Sequence, residues 1–300
     1  MKIIVIGESN IDITVKPHGE PLQGGCTPAD IAFHHGGVAR NIAHNLSLLG
    51  HEVQLATVFG DDDFARSMIE ECEQLGIDLS LSSQYENAKS PIFLSFNDEV
   101  GNMQSAVSDI DLNACLDLDW LTKRIDAVNR ADLVVADTLL STEALTFLID
   151  HCEKPLYIDT VSPRKALRFA EALHRSKRHS VFALKCNLTE AQSLTNITNA
   201  KDMALALNGM GISHVYLTLG ADGVVHGDQG QAMRHAALPA QVVNASGSGD
   251  AFFAGIIHAN AMERTGSEAV AFGLEMAKMT LEMEDVVNNE VSYLYIRPTE

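Results

Sequence analysis

The stretch Gln241-Val-Val-Asn-Ala-Ser-Gly-Ser-Gly-Asp-Ala-Phe-Phe-Ala-Gly255 joins a β-rich run to a glycine-containing turn and then to an apolar helix. The helix is predicted to begin at about Gly249 or Asp250. Glycines let the backbone expose consecutive N–H groups, and the helix dipole adds positive potential at the same point. The stretch therefore predicts a site for a phosphate, or for the charge of phosphoryl transfer, that the Asp250 carboxylate can reach.

Two other interpretations of this stretch compete with an anion hole. A dinucleotide-binding fingerprint fails, because Phe252 stands where a third small residue is needed and the motif lies late in the chain. A helix cap without further function remains open, since an acidic residue at a helix N-terminus is common. Gly-Lys-Ser/Thr does not occur in the sequence, so nucleotide chemistry would need an architecture other than the Walker loop.

Outward from this stretch, short apolar runs alternate with amphipathic segments, which is typical of an α/β fold with a mostly parallel sheet. The strand-like runs are Lys2–Ile6, Val53–Val58, Leu133–Ala136, Leu156–Ile158, Val181–Leu184 and His214–Leu217. The helix-like segments are Ala39–Leu49, Phe64–Leu75, Leu118–Val128, Thr142–His151, Arg164–His174, Thr189–Leu194, Lys201–Met210, Asp250–Arg264 and Ser267–Glu282. Ligands are expected outside the carboxyl ends of the strands.

Two segments break the alternation, Ile11–His35 and Pro91–Val107. Both have short extended character around turn residues such as Asn97-Asp98 and Gly101-Asn102. They are interpreted either as hairpins that project from the main sheet or as ordinary surface loops, and the residues alone leave both open.

Two motifs in the first fifth of the chain are candidates for binding a small ligand. Gly36-Gly-Val-Ala-Arg-Asn41 opens the first long helix, and its paired glycines let a ligand approach the backbone. Gly7-Glu-Ser-Asn-Ile-Asp12 ends the first strand, and Asn10 and Asp12 alternate, so they share one side of an extended segment. Taken singly, each motif is equally explained as a turn.

Two later motifs are candidates for binding a nucleotide. In Lys185-Cys-Asn-Leu-Thr-Glu190, Asn187 and Glu190 share one helical face, and a carboxylate near phosphates usually acts through Mg²⁺ or its water. The alternative is a capping box. Thr218-Leu-Gly-Ala-Asp-Gly223 ends a strand in a tight turn that suits either a nucleotide or a β-hairpin.

Composition narrows the classes of partner. Lys plus Arg is 21 against 40 for Asp plus Glu in 300 residues, a net charge of −19, which argues against nucleic acid or an anionic membrane as a partner. The 5 cysteines form no Cys-x-x-Cys pair, so a reducing compartment fits. The first apolar run is too short for a signal peptide, and we expect a cytoplasmic protein that binds small molecules.

Taken in order, these motifs resemble the ribokinase-like (phosphofructokinase-B, PfkB) family of kinases over nearly the whole chain. Asn244-Ala-Ser-Gly-Ser-Gly-Asp250 is similar to the second signature of that family, usually Asp-Thr-x-Gly-Ala-Gly-Asp, and Gly36…Gly50 to the first. The resemblance implies one kinase domain over residues 1–300, a three-layer α/β sandwich with a mostly parallel central sheet. It also implies a small β lid, inserted at about 11–35 and 91–107.

The resemblance implies roles for individual residues as well. Asp250 becomes the catalytic base, and the amides of Gly247, Ser248 and Gly249 become the anion hole. Glu190 serves Mg²⁺ through water, with Asn187 beside it. The residues implied to lie along ATP are Asn187, Thr218, Gly220, Asp222 and Gly223. Those implied to hold the phosphate acceptor are Asn10, Asp12, Gly36, Gly37 and Asn41.

The sequence departs from the family at one functional position. Asn244 stands where relatives have an Asp that helps to form a monovalent-cation site, and Ala245 replaces the usual Thr or Ser. Losing that charge puts potassium activation in doubt and leaves the Asp250 chemistry intact. Family members often pair their lids, and Ile92, Leu94 and Phe96 alternate along one face of a predicted strand. A homodimer through the lid is therefore expected.

Three stretches are most similar to the pseudouridine kinases of this family, namely residues 36–50, 106–111 and 159–165. This resemblance implies transfer of the ATP γ-phosphoryl group to the 5′-hydroxyl of pseudouridine. Ribokinase, fructokinase and other nucleoside kinases remain alternatives, because their catalytic half would look the same. A catalytically silent nucleotide- or sugar-binding regulator is the alternative from another class. A flavin or nicotinamide oxidoreductase is disfavoured by the missing N-terminal fingerprint.

Overall fold

The structure, a computed structural model, describes residues 1–20, 24–98 and 103–291. The predicted Gly101-Asn102 turn lies outside the described residues. Among the described residues, none of the helices has the length and apolar character that crossing a membrane requires.

Strands and helices alternate through most of the described chain. The strands are β1 (Lys2–Ile6), β2 (Asn10–Pro17), β3 (Ala29–Gly36), β4 (Glu52–Ala56), β5 (Val58–Phe59), β6 (Ser83–Gln84), β7 (Ile92–Asn97), β8 (Met103–Asp109), β9 (Leu133–Asp137), β10 (Leu156–Asp159), β11 (Val181–Asn187), β12 (Ile212–Thr218), β13 (Val224–Asp228) and β14 (Gln231–His235). The α-helices are α1 (Val38–Leu48), α2 (Asp63–Gln74), α3 (Leu118–Thr122), α4 (Ile125–Val128), α5 (Thr142–His151), α6 (Pro163–Arg175), α7 (Leu188–Thr195), α8 (Ala200–Gly209), α9 (Ser248–Ala261) and α10 (Gly266–Leu281).

The central sheet has the strand order β14-β13-β12-β11-β10-β9-β1-β4. Its strands run parallel from β12 to β4, and the β13–β14 hairpin extends it in antiparallel fashion. Along β1, Ile3 and Val5 pack into the core beneath α1, α9 and α10, whereas Ile4 and Ile6 pack into the core beneath α3 to α8. A sheet buried on both faces needs such continuous apolar runs. The predicted three-layer α/β sandwich is confirmed.

The two segments that break the alternation form one separate sheet of order β3-β2-β7-β8. Strands β2 and β7 pair in parallel, and the outer strands pair with them in antiparallel fashion. The segments are therefore projecting strands of a small lid, and the surface-loop interpretation is wrong. Because β2 follows β1 directly and β3 leads into α1, the lid lies over the carboxyl end of the central sheet.

Three local predictions differ from the structure. The single helix predicted over Leu118–Val128 is two short helices, and at their junction the Arg124 amide donates to Leu121 O, three residues back, at 2.9 Å. The Arg124 guanidinium donates there to Leu81 O and Trp120 O. The predicted strand Val53–Val58 is divided between β4 and β5. The β13–β14 hairpin was not predicted, since β14 is a polar edge strand without a clear apolar face.

Candidate active site

The glycine turn before α9 has the geometry of an anion-binding helix start. Gly247 is the N-cap residue with φ +76°, and a Cβ there would lie 1.9 Å from Val286 O, so a side chain is excluded. Ser248 Oγ donates to Ala245 O at 2.8 Å, which closes the turn. The helix that follows has 14 residues, and its N-terminal amides and dipole are available to an anion.

Asp250 lies in the first turn of α9 and is 7% exposed. Asn41 Nδ2 donates to its Oδ2 at 2.9 Å. Burial raises the pKa of Asp250 to about 7; the charge of Lys185 and the Asn41 bond oppose this rise, and the nearby Asp159 and Asp12 add to it. A carboxyl whose pKa is close to neutrality suits a general base, because it can both accept and release a proton.

The predicted acceptor residues converge beside Asp250. Asn10 Nδ2 donates to Asp12 Oδ1 at 2.6 Å, which fixes the carboxylate on β2. Burial raises the pKa of Asp12 to about 6, and the Asn10 hydrogen bond opposes the rise. A Cβ at Gly36 would lie 2.2 Å from Asp12 Oδ2, so only glycine leaves room for this side chain. A Cβ at Gly37, which has φ +95°, would lie 2.4 Å from Glu8 O, so a side chain is excluded there too.

A buried ion pair beside the anion-binding turn was missed by the sequence reasoning. Lys185 Nζ donates to Asp159 Oδ2 at 2.8 Å, from neighbouring positions at the ends of β11 and β10. Burial would lower the pKa of Lys185, but the charges of Asp159 and Asp250 outweigh burial and raise it, so the ammonium stays charged. A Cβ at Gly249 would lie 3.0 Å from this Nζ. A fixed cation therefore borders the anion-binding turn.

Asn187 and Glu190 form the capping box that was left open as an alternative. Asn187 Oδ1 accepts from the amide of Glu190 at 3.0 Å, and Glu190 Oε2 accepts from the amide of Asn187 at 2.8 Å. The Glu190 carboxylate also accepts from Thr160 Oγ1 and Asn187 Nδ2. A carboxylate has about four lone-pair sites, so roughly one stays open for a water of a metal's shell. The residues thus fit Mg²⁺ through water.

An apolar cavity of about 540 Å³ lies on the other side of the turn, a volume within the usual range for a small-molecule site. Thr218, Gly220 and Gly223 line it as predicted. Asp222 does not, because its exposed carboxylate pairs with Arg234 at 3.0 Å. The cavity is completed by side chains that sequence reasoning missed, among them Leu238, Phe252, Leu274, Ala277 and Leu281.

A second cavity, of about 410 Å³, has a mixed polar and apolar lining. Asn113 and Lys165 line it, and both contact the buried Glu8: Asn113 Nδ2 donates to Oε1 at 3.1 Å, and Lys165 Nζ lies 3.5 Å from Oε2. The Glu8 amide donates to Asp137 Oδ2 at 2.7 Å. We name Glu8, Asn113 and Lys165 the polar cluster. Its Lys165 is largely buried, contrary to the usual solvated lysine of a helix surface.

Comparisons with known proteins identify the family of the chain. The chain is 30% identical to a pseudouridine kinase of Escherichia coli K12 over 97% of this chain and 93% of that protein. It is 25% identical to a guanosine-inosine kinase of Exiguobacterium acetylicum, over 92% and 93% of the two chains. A structure of Arabidopsis thaliana ribokinase complexed with ribose and ATP superposes with a TM-score of 0.81 at 19% identity, covering 99% of both chains.

That superposition shows the fold, which is ribokinase-like. The family model described as pfkB family carbohydrate kinase matches residues 1–291, which include the anion-binding turn, the acceptor residues and both cavities. This protein belongs to the pfkB family of carbohydrate kinases, phosphotransferases with an alcohol group as acceptor.

Proposed function

We propose that the protein transfers the γ-phosphoryl group of ATP to the 5′-hydroxyl of pseudouridine, giving pseudouridine 5′-phosphate and ADP. Asp250 takes the hydroxyl proton as the acceptor oxygen bonds to phosphorus and the bond from phosphorus to the bridging oxygen of ADP breaks. The amides of Gly247, Ser248 and Gly249, together with Lys185, stabilise charge on the transferring group. A single kinase domain over residues 1–300 accords with the family match over 1–291.

The polar cluster is the observation that carries the choice of acceptor. The cluster is connected to the acceptor residues through Glu8, which stands two residues before Asn10 and whose carbonyl accepts from the Arg40 amide at 3.2 Å. The Glu8 charge also raises the pKa of Asp12, after the larger effects of burial and the Asn10 bond. A free sugar has no further group to place in this cavity once its hydroxyls meet the acceptor residues, whereas a nucleoside adds a base with N–H donors and carbonyl acceptors. Buried polar groups require partners, so this cavity favours a nucleoside with a hydrogen-bonding base.

Magnesium ATP fits the remaining residues. When bound, Mg²⁺ neutralises charge on the phosphates. Glu190, through water, is proposed to hold it, while Asn187, Thr218, Gly220 and Gly223 lie along the nucleotide. Asp222 is left out of this assignment because it pairs with Arg234. A cytoplasmic location is proposed as well, consistent with five free cysteines.

An acceptor panel tests the proposal. The purified protein is given ATP and Mg²⁺ with pseudouridine, uridine, inosine, ribose or fructose, and ADP formation and product mass are measured. Fastest turnover of pseudouridine to its monophosphate supports the proposal. Preferred turnover of a free sugar rejects pseudouridine and keeps the kinase. Melting shifts with ligands and no ADP from any acceptor would indicate the silent regulator instead.

Weak dependence on potassium is expected from Asn244. Its Nδ2 donates to Glu284 O at 2.8 Å, and its Oδ1 accepts from the Ser246 amide at 2.9 Å. The Asn244 amide therefore connects the turn before α9 directly to the segment that follows α10. A carboxylate here could not donate and would need a cation between two oxygens. Initial rates in potassium, sodium and tetramethylammonium salts at fixed ionic strength should be similar.

The matched variant for this prediction is Asn244→Asp, which should gain potassium stimulation because it restores the carboxylate found in relatives. A large, selective stimulation of the parent protein by potassium would contradict the interpretation of Asn244.

Dimerisation through the lid is expected from one exposed apolar face. Phe33 on β3 lies opposite Ile13 on β2, Ile13 lies opposite Leu94 on β7, and Leu94 lies opposite Val107 on β8, so all four side chains share one side of the sheet. Phe33 is 58% exposed and Val107 is 62% exposed. Exposed apolar strand surfaces of this kind favour association. Light scattering at micromolar concentration should give twice the chain mass, and Val107→Asp should shift it towards the monomer. A monomeric mass for the parent protein would count against the lid dimer.

A further inference from the structure

Arg40 carries a guanidinium that is almost completely buried, with 2% of the residue exposed. Nη2 pairs with the carboxylate of Glu71 on α2, and Nη1 donates to His35 O on β3 at 2.9 Å. Burying such a charge costs several kcal/mol even when it is paired, and apolar residues often fill the same space at no loss of stability. Packing alone therefore does not explain an arginine at this position.

The contact that distinguishes Arg40 is with the side chain of its neighbour. Arg40 Nη1 donates to Asn41 Oδ1 at 3.1 Å, and Asn41 Nδ2 donates to Asp250 Oδ2 at 2.9 Å. In the opposite orientation of this amide, the oxygen would face the Asp250 carboxylate and the NH₂ group would face the guanidinium. Both contacts would then be repulsive. Arg40 therefore fixes which end of the amide faces Asp250.

We infer that Arg40 is a positioning residue for catalysis: through the Asn41 amide it holds Asp250 Oδ2 and leaves Oδ1 to accept the proton of the acceptor hydroxyl. The inference rests on the proposed function in which Asp250 is the base. Glu71 binds Nη2 of the Arg40 guanidinium, whereas Nη1 contacts Asn41, so a chain of contacts joins α2, α1 and α9. Sequence alone could not reveal this chain of contacts, because Asn41 and Asp250 are 209 residues apart.

The sign of the effect follows from the groups around Asp250. Lys185, Asp159 and Asp12 face this carboxylate, and Glu71, His35 and His44 surround Arg40. The Asn41 hydrogen bond lowers the pKa of Asp250 against the larger effect of burial. An amide freed from Arg40 donates to Asp250 for only part of the time, so the pKa of Asp250 rises. The acid limb of the kcat/KM profile then moves to higher pH.

The experiment measures kcat/KM against pH for the parent, Arg40→Met, Asn41→Ala and the double variant, with the acceptor that the parent uses best. Arg40→Met should move the acid limb upward by ~1 pH unit, the order expected for loss of a hydrogen bond to a charged group. Asn41→Ala should move it similarly, and the double variant no further, because both changes remove one interaction. Arg40→Lys keeps a positive charge opposite Glu71 but lacks the forked guanidinium, whose two Nη atoms contact Glu71 and Asn41 separately. This variant should therefore regain the parental melting temperature while its acid limb stays at the higher pH.

An unchanged acid limb in Arg40→Met with a lowered melting temperature would overturn the inference and leave Arg40 a structural residue. Additive shifts in the double variant would overturn it too. If Arg40→Met does not fold, the test rests on Arg40→Lys. An acid limb of kcat/KM at the parental pH in that variant would exclude the positioning role. Failure of the proposed function is seen separately: Asp250→Asn would then keep its turnover, whatever Arg40 does.

Discussion

Replacing Asp250 by Asn is expected to lower kcat by ~10²–10⁴, the usual contribution of a positioned general base. The amide has nearly the shape of the carboxylate but cannot take the acceptor proton. ATP binding should persist, because the apolar cavity lies on the other side of the anion-binding turn. The measurements are steady-state ADP formation and ATP binding by calorimetry. Near-normal turnover in the folded variant would remove Asp250 from the role of base.

The matched control is Asp228→Asn, which changes a half-exposed carboxylate on β13 beside His214 and should leave kcat unchanged. A pH profile of the parent adds a second measurement. Asp250, with a pKa raised to about 7 by burial, is protonated below that pH and cannot act as a base. The rate constant kcat/KM, which reports the free enzyme, should therefore rise with pH up to about 7 and then level off.

A preference for pseudouridine over uridine by as much as ~10⁴ in kcat/KM is the second large effect expected. The two nucleosides share ribose and nearly the same ring shape, and they differ in the ring edge that carries a free N–H. A cavity that hydrogen-bonds this edge leaves buried polar groups unpaired when the wrong isomer binds. The polar cluster offers such partners. Shape alone would discriminate far less.

Two variants separate recognition of the base from recognition of ribose. Lys165→Met should lower kcat/KM for pseudouridine by ~10–10², the value of a hydrogen bond to a charged group, with little change for ribose. Asp12→Ala should lower it for every acceptor, because the ribose hydroxyls lose their partner. Equal or better use of a free sugar by the parent would reject pseudouridine, and an equal loss for ribose in Lys165→Met would remove the cluster from base recognition.

The glycine turn before α9 and the residues proposed to hold the acceptor can be picked out in the sequence because each lies in a local motif. Gly247 needs a positive φ, Gly36 must leave room for Asp12, and Asp250 opens a helix, all within a few residues. Their meeting follows from parallel strands, whose carboxyl ends lie at one edge of the sheet. The α/β class followed from continuous apolar runs such as Lys2–Ile6.

The parts that could not be predicted depend on contacts between distant side chains. Asn113 contacts Glu8 across 105 residues; Glu8 lies within the Gly7…Asp12 motif, but nothing in that motif indicates a partner so distant in sequence. Lysines are usually solvated, so the motifs that contain Lys165 and Lys185 do not indicate that these two side chains are buried beside carboxylates. The α10 residues that line the apolar cavity, such as Leu274 and Leu281, follow the ordinary apolar spacing of an amphipathic helix, so the sequence does not distinguish them from core residues. The ion pair between Lys185 and Asp159 leaves one trace in the sequence: Asp159 is a charged residue at the end of a buried strand, where a partner of opposite charge is needed.

The hydrogen bond from Asn41 to Asp250 has a consequence for biosynthesis. The residues proposed to hold the acceptor are translated before α9 and α10, which carry Asp250, the anion-binding turn and one wall of the apolar cavity. A contact across 209 residues cannot form until nearly the whole chain has left the ribosome. Nascent chains that stall or terminate before α9 can therefore expose the lid and most of the sheet, yet they lack Asp250, and we expect them not to consume ATP.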